Sequence, residues 1–149
     1  MPSPILTPDQ ILRAVAALEA AWSHDDDALV ALARTGPGEQ PLAVLVGDYG
    51  TLMLETMLLT VTGIRDLPEG KDRPSAVEEF NGHLAGHLAE LTTVFLRGWA
   101  RTAGSDAQAA GDLARAVLQT ILSFTTDGDD RTEVQALLDH LRANALAHS

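Results

Sequence analysis

The chain has no cysteine. That excludes a disulfide, a thiolate nucleophile and any cysteine-ligated zinc or iron–sulfur centre. Aromatic residues are scarce, at 4% of 149 positions, although 46% are hydrophobic. Ala and Leu carry the apolar content, which suits close helix-on-helix contact better than a sheet of β-branched and aromatic residues. Basic charge is scarce as well: Lys71 is the only lysine, the arginines are scattered, and the net charge is −11. Nucleic acid and anionic membrane surfaces both draw on clustered Lys and Arg, so neither is an expected partner. No Walker-type or Gly-x-Gly-x-x-Gly loop occurs, and no Gly-x-Ser-x-Gly elbow. The turn Asp127-Gly128-Asp129-Asp130 lacks the twelve-residue ligand register of a calcium loop. The N-terminal stretch MPSPILTPDQ has neither the basic nor the apolar region of a secretory signal, so a cytoplasmic location is expected.

What is present is apolar periodicity at helical spacing. The most apolar run, residues 41–63, places Leu42, Leu45, Val46, Tyr49, Met53, Thr56, Met57 and Thr60 on one broad face. Asp48, Thr51, Glu55 and Thr62 form a narrow polar seam opposite. The run is long enough to cross a bilayer, but two carboxylates near its middle and the lack of basic flanks argue for a buried helix instead. Gly47 and Gly50 each cost about 1 kcal/mol of helix propensity relative to Ala, so tertiary packing must hold this helix, and the glycines allow a neighbour to approach closely.

Thr7-Pro8-Asp9-Gln10 reads as a capping box opening a helix to about Ser23, with Ile11, Leu12, Val15, Leu18 and Trp22 as its stripe. His24 to Asp27 supplies a break and a new cap for a short helix ending before Gly36. Residues 64–73 are rich in turn formers and charge and read as an exposed loop. A long helix over about 74–102 carries Val77, Phe80, Leu84, Leu88, Leu91, Phe95 and Trp99 at nearly constant azimuth. At about 42 Å it is long enough to protrude and meet a partner, unless Gly82, Gly86 and Gly98 bend or divide it. Ser105 and Gln108 form a capping box for a helix to about Thr125, and Asp130 with Glu133 for a last helix whose tail frays at 147–149. The fold class is all-α: a single helical domain of about five to six helices around the central helix and the long one.

Three groups of residues are candidate sites. Glu79, His83, His87 and Glu90, spaced four, four and three apart, have a spacing at which imidazoles share a divalent metal with carboxylates a turn away. They lack the Glu-x-x-His pattern of di-iron bundles and the His-Glu-x-x-His of zinc proteases, and they lie to the side of the apolar stripe, as a solvated edge would. In the seam, Asp48 and Glu55 stand about 10 Å apart, too far to share a proton, and Arg65, Arg97 and Arg101 are available to pair with them. A variant joins Asp48 or Glu55 to the histidine row across a helix interface. Tyr49, Met53, Met57 and Trp99 are suited to an apolar ligand pocket. The expected role is a non-enzymatic interaction module working as a homodimer, since helix association absorbs surplus apolar surface. The alternatives are a metal-binding protein or metal-dependent enzyme using His83 and His87, and an effector-binding helical domain for a small apolar ligand, by analogy of fold alone.

Overall fold

A computed structural model describes residues 4–61, 63, 72–125 and 131–147, and these form seven helices and no strand. They are α1 (Pro8–Trp22), α2 (Asp26–Ala33), α3 (Leu42–Val61), α4 (Asp72–Gly82), α5 (Leu84–Ala103), α6 (Ala107–Thr125) and α7 (Arg131–Ala147). The all-α reading holds. The loop expected over 64–73 lies outside the described residues as far as position 71, and α4 begins at Asp72. Thr62, Arg65, the turn Asp127 to Asp130 and the tail positions His148 and Ser149 also lie outside them.

Local chemistry sets the helix ends. Thr7 and Gln10 form the reciprocal capping box that opens α1, with Gln10 N–H donating to Thr7 Oγ1 at 3.2 Å and Thr7 N–H to Gln10 Oε1 at 2.9 Å. α1 closes in a Schellman turn, where Asp25 N–H reaches Ala20 O and His24 N–H reaches Ala21 O. His24 takes the left-handed position of that turn, at φ 55°, which glycine usually occupies. Asp25 then caps α2 through Ala28 N–H. The cap of α6 is Asp106, whose Oδ1 accepts from Gln108 and Ala109 N–H, one residue later than the Ser105 box predicts. Both side chains can cap; the Asp carboxylate brings the stronger, charge-assisted bond.

The expected long helix is two. His83 has an extended backbone (φ −85°, ψ 161°) and serves as N-cap of α5, with Gly82 ending α4 just before it. Gly82 is the divider that the glycine-rich sequence foreshadows.

Packing centres on α1, α3 and α6, with α7 laid on α1 and α2 across α1 and α6. α3 is the central element, touched by α1, α2, α5 and α6. It is also the one described helix long and apolar enough to cross a membrane, at a mean hydropathy of 1.5 over Leu42–Thr60. Leu42, Leu45, Val46 and Tyr49 are fully enclosed with Leu18, Leu113, Leu118 and Ile121. Three arginines tie the helices at their ends: Arg13 donates to Leu32 O at 2.6 Å and Gln40 O at 3.3 Å, Arg115 to Ala21 O at 3.0 Å, and Arg142 pairs with Glu19. Leu32 O and Ala21 O lie at helix C-termini, where a cation is favoured by the helix dipole.

The glycines of α3 are contact points. A Cβ on Gly47 would stand 3.3 Å from Ala100 Cβ, and one on Gly50 only 2.9 Å from Val117 Cγ2. Overpacking there costs about 1–3 kcal/mol, against a propensity gain of about 1 kcal/mol. Gly50→Ala is therefore expected to lower unfolding free energy by about 1 kcal/mol in the native background. In a Val117→Ala background, where the extra methyl has room, the same change should be neutral or stabilising; a double-mutant cycle in chemical denaturation reads the coupling.

Candidate functional site

α5 has two unlike faces. Its inner face is made of small residues: Gly86, Ala89, Thr93, Ala100 and Ala103 are buried, and Leu96 is half-buried. Thr93 satisfies its buried hydroxyl by donating to Ala89 O at 3.0 Å. This face meets Gly47 and Gly50 of α3, and the two helices run antiparallel, since Gly47 lies against Ala100 and Leu96 while Met57 shares a cleft with Thr92. The outer face holds the large side chains. Leu84, Leu88, Leu91, Phe95 and Trp99 follow one another at steps of four, three, four and four, within about 80° of azimuth, with Val94 beside them.

These six are between 43% and 73% exposed, and among the described residues the other large exposed hydrophobics are Ile5, Val30 and Leu146, each on a different segment. The apolar stripe of the sequence is thus not turned into the bundle. Small side chains fit the short interhelical distance that the α3 glycines allow, so they take the inward side and the bulky ones face out. Glu90, Arg97 and Arg101 are exposed together at the border of the inner face, about 120–160° of azimuth from the centre of the stripe.

The histidine row does not form as a row. His83 sits in the break before α5 rather than inside a helix, so it and His87 are not stacked on one continuous face. His83 Nε2 lies 3.7 Å from Glu79 Oε1, both well exposed, while His87 and Glu90 are exposed on α5. Among the described residues no three His, Asp or Glu side chains converge as a metal would require.

The polar seam of α3 is enclosed rather than solvated. Thr51 is 1% exposed and donates to Gly47 O at 3.1 Å; Asp48 and Glu55 are half-buried. Arg97 is the cation that Asp48 faces. Arg97 stands ten residues, about 15 Å, from His87 along α5, so Asp48 does not join the histidines. Partial burial pushes the Asp48 carboxyl above its ordinary range, and Arg97 pulls it back in part. Burial also drives the Tyr49 phenol far upward, so it stays neutral and offers no base.

The pocket expected of Tyr49, Met53, Met57 and Trp99 is not assembled. Tyr49 is in the core, Met53 packs half-buried against it, and Trp99 is on the outer face of α5. Met57 lines a cleft, with Gly50, Leu54, Thr92, Leu96, Val117, Thr120 and Ile121. The cleft holds about 300 Å³ with its open mouth included. Even so counted, it only reaches the lower end of the range that small-molecule sites occupy, and the enclosed part is smaller.

No protein-family model, no curated protein and no solved structure matches the chain. Function is therefore read from these residues alone, and α5 carries the largest unexplained feature.

Asp48 yields a test with a definite sign. Its raised folded value means that its contribution to stability is fully present below the ordinary value of 3.8 and is lost as pH rises through the folded value. Asp48→Asn should match the parent protein near pH 3 and become the more stable of the two by pH 7, read by denaturant unfolding at each pH. A variant that instead falls behind as pH rises would show that the Arg97 attraction outweighs burial.

Proposed function

We propose that this chain is a non-enzymatic interaction module of the cytoplasm that works as a homodimer through the outer face of α5. The observation that supports the reading is the contiguous apolar stripe of Leu84, Leu88, Leu91, Phe95 and Trp99, left exposed on a helix whose opposite side is fully packed. Scattered surface hydrophobics are ordinary, but a concentrated row on one helix marks a contact surface. Full burial of a large apolar side chain contributes about 1.5–3 kcal/mol. About half of that, over five or six residues from each of two copies, is on the order of 10 kcal/mol, comparable with the association cost of about 4–15 kcal/mol. The surplus over that cost, at most about 6 kcal/mol, corresponds to a dimer with a Kd of tens of micromolar or weaker. A two-fold contact uses one patch twice, so a single stripe suffices. The metal and small-ligand readings have no observation of similar weight: Glu79 and His83 lack a third converging group among the described residues, and the cleft beside Met57 is small.

Light scattering coupled to size exclusion should give a mass rising toward twice that of the chain as concentration is raised from about ten to several hundred micromolar. Leu88→Glu combined with Phe95→Glu should return the mass of one chain, with helical circular dichroism unchanged because both side chains are exposed; the loss in affinity should exceed about 100-fold, since each interface charge would be buried unpaired. A parent protein that stays monomeric throughout that range overturns the homodimer.

A further inference from the structure

The break between α4 and α5 lacks the chemistry that fixes other helix starts in this chain. Thr7, Asp25 and Asp106 each cap a helix with a side-chain oxygen, whereas His83 makes no side-chain cap and no acid stands in the first turn of α5. A single residue, His83, separates the two helices. The first bond of α5 runs from His87 N–H to His83 O at 3.1 Å, so the amides of Leu84, Ala85 and Gly86 have no acceptor within that helix. Gly82 keeps a helical backbone, and a Cβ there would meet no atom within 4 Å. Among the described residues α4 packs on α5 and on no other helix to a comparable extent, so the bundle does little to hold it at an angle.

The sequence meanwhile keeps one helical phase through the break. Val77, Phe80, Leu84, Leu88, Leu91, Phe95 and Trp99 follow one another at steps of three, four, four, three, four and four. Val77 and Phe95 stand eighteen residues apart, which is five whole turns at one azimuth. A fixed bend gives that shared phase no use. Glu79 and His83, 3.7 Å apart across the junction, also keep the i, i+4 spacing of neighbours on one helix.

Resting on the homodimer reading, we infer that Gly82 and His83 form a hinge, and that pairing of two copies through the α5 stripe closes it into one helix over residues 72–103. Closing turns the His83 ψ to its helical value and offers the amides of Leu84, Ala85 and Gly86 the carbonyls of Phe80, Asn81 and Gly82. The seam then runs from Val77 to Trp99, about 33 Å, instead of about 22 Å from Leu84 to Trp99. In one chain alone the added apolar length gains nothing and the glycine favours the break; in the pair that length leaves water. The connection permits the movement. α3 runs toward the start of α5, and a continuous helix places Asp72 about 18 Å beyond Leu84, whereas the ten residues between Val61 and Asp72 can reach more than about 30 Å.

Nuclear magnetic resonance on the isotope-labelled protein reads the hinge directly. As concentration rises from about ten to several hundred micromolar, the His83 carbon shifts should move from extended to helical values, and exchange of the Leu84, Ala85 and Gly86 amides should slow at least about tenfold. Gly82→Ala should tighten the dimer by up to about 25-fold, about fivefold for each of two hinges, as helix propensity at that position rises. Leu84→Pro suits the divided form, because proline is favoured at the first helical position and His83 before it is already extended; it removes an amide that closure needs. That variant should keep His83 extended at every concentration and weaken the dimer at least about tenfold beyond Leu84→Ala, which removes the leucine contact alone. An extended His83 in a parent protein that light scattering shows to be dimeric overturns the hinge and leaves the homodimer standing. So does a Leu84→Pro dimer as tight as that of Leu84→Ala. A parent protein that stays monomeric up to several hundred micromolar removes both.

Discussion

The close approach of α5 to α3 is the constraint on which the rest of the architecture depends. Gly47 lets the Ala100 methyl and the Leu96 carbonyl of α5 come close to the α3 backbone, and Gly50 gives room to the Leu96 side chain and to Val117 of α6. Van der Waals attraction falls off steeply with separation, so small-on-small contact is effective only if the backbones come near. Once α5 commits its small residues and Leu96 to this contact, helical geometry leaves its other large residues no inward direction. The exposed row of leucines and aromatics is thus the geometric complement of a glycine-lined groove, and not a packing failure.

The same constraint explains how polar groups are handled near the centre. Thr51 of α3 and Thr93 of α5, both buried, donate their hydroxyls to carbonyls of their own helices, at Gly47 O and Ala89 O. Asp48 is farther out, where Arg97 can reach it. Elsewhere the few cations act as ties rather than as a surface: Arg13, Arg115 and Arg142 each connect α1 to another segment or helix. Three of the ten basic residues of this acidic protein are used in such ties.

Much of the fold was legible in the residues, and the reasons are local. The Thr7–Gln10 box, the Asp25 cap and the central apolar run over Leu42 to Val61 are written in short-range patterns that act through neighbouring atoms. The glycines of α3 were readable as sites of close approach because glycine has one obvious use in a helix that tertiary packing must hold. The division at Gly82 and His83 was less legible, since an apolar stripe of constant azimuth continues from Val77 to Trp99 across it. The candidate sites failed to assemble for a related reason. Spacing along a helix states which side chains share an azimuth, and it does not state what that azimuth faces. Glu79, His83, His87 and Glu90 needed an unbroken helix, and Tyr49 and Trp99 needed two faces that in the fold point apart.

That distinction bears directly on α5. A hydrophobic stripe reports that some surface will be removed from water, and it is silent on whether the cover comes from the same chain. Here the choice is made by size: the inner side of α5 is filled by Gly86, Ala89, Thr93 and Ala100, and the outer side keeps Phe95 and Trp99. In a chain with only six aromatic residues, placing two of them outward on one helix is a poor use of bulk for a core and a suitable one for an interface, where Trp and Phe supply large contact area with little rotamer entropy to lose.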